Sequence, residues 1–111
     1  MDQLTHYQDL IKQVLNDYAR SRSHSNNLEI HTLFNDLQND YQILYLGWHD
    51  DDRIHRCLIH IQIKGRKIWI EQDETEVGIA NELVEAGVPK TDIVLAYQAP
   101  YLRHLTEFAA G

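Results

Sequence analysis

The chain has 111 residues, a hydrophobic content of 43% and a formal net charge of −7 at pH 7. This composition argues against wholesale disorder, and the length predicts a single domain over residues 1–111. An acidic chain is also at a disadvantage as a duplex DNA binder. One cysteine, Cys57, excludes an intrachain disulfide. Since the first residues lack an export signal and no apolar run approaches the ~20 residues of a membrane span, we expect a cytoplasmic protein that does not insert into membranes.

The first predicted element is an amphipathic helix, because apolar residues recur every three or four positions. The apolar stripe consists of Leu4, Tyr7, Leu10, Ile11, Val14, Leu15 and Tyr18 and stops near Arg20. The polar stretch 21–27 that follows predicts a loop.

Four strands are predicted next, over residues 28–34, 41–48, 54–64 and 67–72. Asn and Asp residues in 35–40 and the acidic stretch 49–52 predict the first two turns. The second strand is apolar on both faces, which is typical of a central strand covered on both sides.

Gly65-Arg66 predicts a two-residue turn of type II′ between the last two strands. This turn fixes a register in which Lys64 faces Lys67, Ile63 faces Ile68, Gln62 faces Trp69, Ile61 faces Ile70 and His60 faces Glu71. Simple alternation then places Cys57, Ile59, Ile61 and Ile63 on one buried face.

A second helix is predicted from Asp73, which would cap it in a capping box with Glu76. Gly87 and Pro89 predict its end, and residues 91–95 a short further element. The tail, residues 97–111, shows no clear pattern. The predicted fold class is therefore α+β: a four-stranded antiparallel meander sheet with an N-terminal helix and a C-terminal helix packed on it.

The sequence shows no catalytic or cofactor signature. The seven histidines lack the spacing of metal ligands, although the turn His49-Asp50-Asp51-Asp52 could hold a divalent cation weakly rather than being merely an exposed acidic turn. No serine lies in a nucleophile elbow, no Gly-rich phosphate loop occurs, and Cys57 is most simply a small core residue. We predict no enzyme, no metal and no cofactor.

Two groups of residues could form a binding surface. Five basic residues lie in an acid-free segment, namely Arg53, Arg56, Lys64, Arg66 and Lys67. They could meet an acidic partner, or they could simply guard strands against edge-to-edge pairing. Trp48 and Trp69 would form an exposed patch for a partner if the first helix does not cover their face of the sheet.

The chain resembles the XisI family. The resemblance extends through the run from Trp69 to Ala80, Glu82-Leu83-Val84, Gly87-Val88-Pro89-Lys90 and Asp92 to Leu95. It also includes Pro100, Arg103, Thr106, Phe108 and Ala109 in the tail, and Gly47-Trp48, Arg53 and Ile59-His60-Ile61 upstream.

The resemblance implies an fdxN element excision controlling factor of cyanobacteria. Such a regulatory protein takes part in a DNA rearrangement during heterocyst differentiation, in which a separate recombinase exchanges the strands. The implied partner is XisH, a sister factor that resembles nuclease-fold proteins. The family supplies no established catalytic residues to carry over.

These expectations lead to one main hypothesis and two alternatives. In the main hypothesis the chain binds an XisH-like protein through Trp48, Trp69, Tyr97, Pro100, Tyr101, Arg103 and Phe108. The first alternative is a DNA-binding accessory factor that uses the basic hairpin 53–67. The second is an antitoxin-like inhibitor of a nuclease-like partner. A homo-oligomer is compatible with all three.

Overall fold

The structure is a computed structural model that describes residues 2–22 and 28–111, so most of the predicted loop at 21–27 lies outside the described residues. The helices are α1 (Gln3–Ser21) and α2 (Ile79–Glu85), with 3₁₀ helices at Lys90–Asp92 and Pro100–Leu105. The strands are β1 (Leu28–Asn35), β2 (Asp40–His49), β3 (Asp52–Lys64), β4 (Lys67–Asp73) and β5 (Ile93–Leu95).

The sheet contains five strands in the order β1-β2-β3-β4-β5. The first four form the predicted antiparallel meander, but β5 runs parallel to β4. The prediction of a four-stranded antiparallel sheet was therefore wrong, although the α+β class is confirmed. A parallel neighbour requires a crossover, which the chain makes through α2, and a three-residue strand is too short to show an alternating pattern.

The β3–β4 hairpin has most of the predicted register. Lys64 pairs with Lys67 and Gln62 with Trp69, and the facing isoleucines coincide as expected. The turn differs from the prediction: Gly65 has φ +56° and Arg66 has φ +69°. Two successive positive φ angles define a type I′ turn, whereas type II′ requires only the first.

Two β-bulges break the alternation on which the sequence reasoning relied. Leu58 has no partner on β2, because Ile59 pairs with Ile43 while Cys57 pairs with Leu44. Leu58 is buried in the core, and Cys57 turns to the face opposite Ile59. The predicted burial of Cys57 beside the isoleucines was therefore wrong.

The second bulge lies at Glu71 on β4. His60 pairs with Gln72, and Ile61 pairs with Ile70, so Glu71 has no partner across the ladder. The predicted pairing of His60 with Glu71 was wrong for this reason. A single unpaired residue of this kind leaves no mark in the hydrophobic pattern.

One hydrophobic core lies between the two α-helices and one face of the sheet. The contribution of α1 is the predicted stripe, with Tyr7, Ile11 and Leu15 buried, and α2 adds Ile79, Ala80 and Leu83. The sheet contributes mainly isoleucines, with Tyr41 and Ile43 from β2, Ile59, Ile61 and Ile63 from β3, Ile68 and Ile70 from β4, and Ile93 from β5. Both helices thus cover the same face. The sequence predicted that β2 is covered on both sides, but none of the described helices covers its second face.

The second helix begins at Ile79 rather than at Asp73. Asp73 is the last residue of β4, and its carboxylate accepts hydrogen bonds from the backbone N–H groups of Thr75 (2.8 Å) and Ile79 (2.7 Å). Asp73 therefore accepts a hydrogen bond from the first backbone N–H of α2, although it lies six residues before that helix begins. Glu76 is exposed and does not complete a capping box. The helix ends as predicted, with Gly87 at φ +109° just beyond it.

Candidate partner-binding surface

The sheet face opposite α1 and α2 is called the open face here. It carries the even-numbered residues of β2, including Leu44, Leu46 and Trp48, and in β4 it carries Trp69. Leu33 lies beside Gln42 on the same face and is 48% exposed. The possibility that the first helix covers this face was thus wrong, because α1 packs on the other side.

The chain's own C-terminal segment covers the Trp69 end of the open face. Arg103 lies over the indole ring at 5.6 Å and Lys64 at 4.9 Å, measured to the ring centroid. A Cβ added at Gly111 would lie 4.0 Å from Cη2 of the same ring, so the backbone of this residue passes close to the indole. The indole Nε1 is buried, and none of the described side chains or backbone groups accepts its hydrogen bond. Trp69 is therefore a packing residue between the sheet and the tail.

Arg103 fixes the course of the tail. Its guanidinium donates hydrogen bonds of 3.0 Å to the backbone carbonyls of Gln98 and Ala96. Further along, the N–H of Ala109 donates to the carbonyl of Ile93 (2.8 Å), which attaches the tail to the edge of β5. Phe108 packs against the core. Arg103 and Phe108 therefore hold the fold together, whereas the sequence reasoning placed them at a partner surface.

The 3₁₀ helix Pro100–Leu105 presents apolar side chains to solvent. Tyr101 is 74% exposed and Leu105 is 72% exposed, and Pro100 and Tyr97 are also exposed. Partial burial, and secondarily the charge of Asp73, raise the pKa of the Tyr97 hydroxyl. Leu105 did not enter the predicted set; its high exposure within a turn-rich segment is visible only in the structure.

Trp48 lies at the other end of the open face. It is 52% exposed, and the guanidinium of its cross-strand neighbour Arg53 lies 5.4 Å from the ring centroid. The β3 partners of the two tryptophans, Arg53 and Gln62, are nine residues apart. At about 3.3 Å per residue this separates the tryptophans by roughly 25–30 Å along the strands, so they do not form one patch.

The basic hairpin is largely engaged within the molecule. Arg56 lies 3.7 Å from a carboxylate oxygen of Glu74, and Lys64 donates to Glu71 at 3.1 Å. Lys67 donates to the backbone carbonyl of Gly111. Of the five basic residues, Arg66 at the turn and Arg53 beside Trp48 are exposed without a carboxylate partner among the described residues.

The remaining candidates for chemistry have structural roles. Burial raises the pKa of the Cys57 thiol, which donates to the carbonyl of Ile59 (3.2 Å), so it is not an activated nucleophile. Across residues 2–22 and 28–111, no group of three or more His, Cys, Asp or Glu side chains could hold a metal ion. His49 lies 3.9 Å from Asp50 at the exposed turn.

One polar pair at the Trp69 end was not found by sequence reasoning. Asp40 accepts a 2.6 Å hydrogen bond from the ring of His60, across the β2–β3 ladder. Partial burial acts to raise the pKa of Asp40, but hydrogen bonds from His60 and Gln42 outweigh it, so the pKa is lowered. The pair was missed because it depends on the register at the start of β2.

The fold and these surfaces define a small α+β protein. It presents apolar side chains on the open face and on a C-terminal segment that hydrogen bonds hold against the sheet. None of the described helices is long and apolar enough to cross a membrane. The chain matches the model of the XisI protein family over residues 1–110. It belongs to the XisI family.

Two solved structures are similar over nearly the whole chain. An XisI-like protein from Anabaena variabilis is 41% identical, with 97% of this chain and 99% of that chain covered and a TM-score of 0.91. The fdxN element excision controlling factor XisI from Anabaena variabilis is 35% identical, with 99% and 100% covered and a TM-score of 0.84. A search of curated proteins finds no match.

Proposed function

We propose that this chain is a controlling factor for site-specific DNA excision that acts by binding a protein partner and not by catalysis of its own. The similarity to the excision controlling factor XisI extends over the full length of both chains, which supports the controlling role. The partner we propose is an XisH-like protein, as the family resemblance implies.

The observation that carries the partner-binding mode is the pair of exposed apolar side chains on a fixed segment. Tyr101 and Leu105 are both more than 70% exposed, while Arg103, between them in sequence, is hydrogen-bonded to two backbone carbonyls. Large apolar side chains on a preorganised backbone lose little entropy when a partner covers them. Tyr97 and Pro100 would extend this surface.

The direct test is co-purification of this chain with an XisH-like protein from the same genome, followed by light scattering to obtain the stoichiometry. We expect a defined complex. The double variant Tyr101→Ala/Leu105→Ala should weaken it by at least about tenfold, because two anchor residues are truncated. Leu37→Ala is the matched control, since Leu37 is a 97% exposed leucine in the turn between β1 and β2.

Two outcomes would count against the proposal. If the two proteins purify as separate folded species, binding to an XisH-like protein is wrong. If a complex forms but the double variant and Leu37→Ala bind equally well, the partner does not use the 3₁₀ helix Pro100–Leu105.

The DNA-binding alternative has weaker support, because Arg56, Lys64 and Lys67 already have partners within the chain. It predicts DNA binding that falls steeply with salt and is lost when these three residues are replaced by alanine.

A further inference from the structure

The outer edge of β1 has the features of a strand that pairs with another strand. Within the described residues, β1 pairs on one side only, and it pairs there with β2 over eight residues without a register shift. Exposed edge strands are usually guarded by lysine, proline, a bulge or a covering element. The segment Leu28–Asn35 contains no lysine, arginine or proline, and its one acidic residue is Glu29.

A groove runs along this edge on the core side of the sheet. It has a volume of about 480 Å³ and lies between the C-terminal half of α1, including Asn16 and Ala19, and the strand residues Leu28, Ile30 and Thr32. Ile30 and Phe34 pack against the core but are only partly buried. A strand added to β1 would place side chains in this groove and complete their burial.

We propose that two copies of this chain associate by antiparallel pairing of β1 with β1, around a twofold axis at Thr32. The two five-stranded sheets then join into one ten-stranded sheet with all α-helices on the same side. The helices of both copies lie on the same side only if core-facing residues of one β1 pair with core-facing residues of the other. Even-numbered residues must therefore pair with even-numbered residues, and odd-numbered residues with odd-numbered ones.

The register centred on Thr32 fits the strand best. It uses residues 29–35 of both copies, and on the core side each Ile30 meets Phe34 of the second copy while the two Thr32 side chains face each other. Pairs of an aromatic with a β-branched residue, and pairs of threonines, are favourable cross-strand neighbours. A register centred on His31 would instead place Ile30 opposite threonine. The self-complementarity of this one strand is why we assign the second strand to another copy.

The interface is compatible with the partner surface proposed above, from which it is independent. The 3₁₀ helix Pro100–Leu105 lies by β4 and β5, at the opposite edge of the sheet from β1. The net charge of −7 on each copy opposes association, so the dimer should become tighter as salt is added.

The first test is light scattering of the full chain across a concentration series. We expect a dimer that dissociates on dilution. Thr32→Lys should shift the chain to monomer, because it places two lysines directly opposite each other at the axis. Leu37→Lys adds the same charge in the neighbouring turn and should leave the dimer intact, and thermal unfolding verifies that both variants fold.

The second test examines the register by cross-linking. Residues directly opposite in an antiparallel pair have Cα atoms about 4.5–5.5 Å apart, which a disulfide can span. With Cys57 replaced by serine, Thr32→Cys should give a covalent dimer on mild oxidation, and Leu37→Cys should not. A monomer at every concentration, or equal cross-linking of the two cysteine variants, would overturn the proposal.

Discussion

The two tryptophans of the open face show how different the two ends of the sheet are. Trp69 is covered by the tail and lies beneath Arg103 and Lys64, whereas Trp48 is half exposed, with the guanidinium of Arg53 near its ring. Both occupy the same face of the sheet, on the two strands that flank β3, and both belong to stretches that resemble the family. A large aromatic residue in a family-typical stretch can therefore serve either the fold or a binding surface, and the elements that cover it decide which.

The largest expected difference is in stability when each indole is removed. Trp69→Ala should lower the free energy of unfolding by about 3 kcal/mol, because it empties the space between β4 and the tail. Trp48→Ala should lower it by less than about 1 kcal/mol, since an exposed side chain is lost. Urea unfolding of both variants measures the contrast, and similar losses would show that the two ends do not differ as described.

Replacing the arginine beside each ring should show the same contrast: the loss of stability should be larger for Arg103, beside Trp69, than for Arg53, beside Trp48. Arg103→Ala should cost about 2 kcal/mol, because it removes two hydrogen bonds to backbone carbonyls together with the contact to Trp69. Arg53→Ala should cost about 0.5 kcal/mol, as it loses an exposed cation–π contact and a long hydrogen bond of 3.4 Å. Limited proteolysis should also cleave the tail of Arg103→Ala faster; unchanged resistance would argue against Arg103 as its anchor.

The smallest expected difference between the two ends is a pH dependence confined to the Trp69 end. Because the pKa of Asp40 is lowered in the folded state, its carboxylate stabilises the fold at pH values above the unfolded-state pKa of about 3.9. This stabilisation is lost as the pH falls through the folded-state pKa. Asp40→Asn should therefore cost about 1 kcal/mol near neutral pH, and this difference from the wild type should shrink below about pH 4.

Urea unfolding near neutral pH and in acid measures this difference. Asp50→Asn, at the turn beside Trp48, is the control, since its carboxylate is almost fully exposed and 3.9 Å from His49. A constant gap between the wild type and Asp40→Asn at all pH values would contradict the role assigned to the Asp40–His60 pair.

Elements set by local chemistry could be predicted from the sequence. The stripe of α1, the strands of the meander and the stop at Gly87 each follow from residues a few positions apart. The hairpin register near Gly65-Arg66 followed from the length of the turn alone, and it holds until the bulge at Glu71. The role of Asp73 could be predicted in part. Aspartate is a typical partner of a helix N-terminus, but the helix starts later than expected.

Features that depend on distant parts of the chain could not be predicted. The three residues of β5 are a strand because β4 offers a free edge, which no local pattern reveals. Likewise Arg103 and Phe108 were assigned to a partner surface because the tail carries no periodicity that shows it folding back over Trp69. Of the predicted partner residues, Trp48, Tyr97, Pro100 and Tyr101 are exposed in the structure, and their role in binding stays a prediction.

The bulge at Leu58 divides β3 into two segments with separate constraints. The inner segment, from Ile59 onward, is tied to the core by its isoleucines, whereas the outer segment from Asp52 to Cys57 alternates in the opposite phase. Deleting Leu58 would therefore remove the bulge and leave the pairing unchanged, with Cys57 still opposite Leu44 and Ile59 still opposite Ile43. A relative that lacks one residue at this position can therefore keep the same surface on the outer segment and lose only the core side chain of Leu58. An alignment of XisI relatives should treat the two segments as separate blocks and allow a one-residue gap between them.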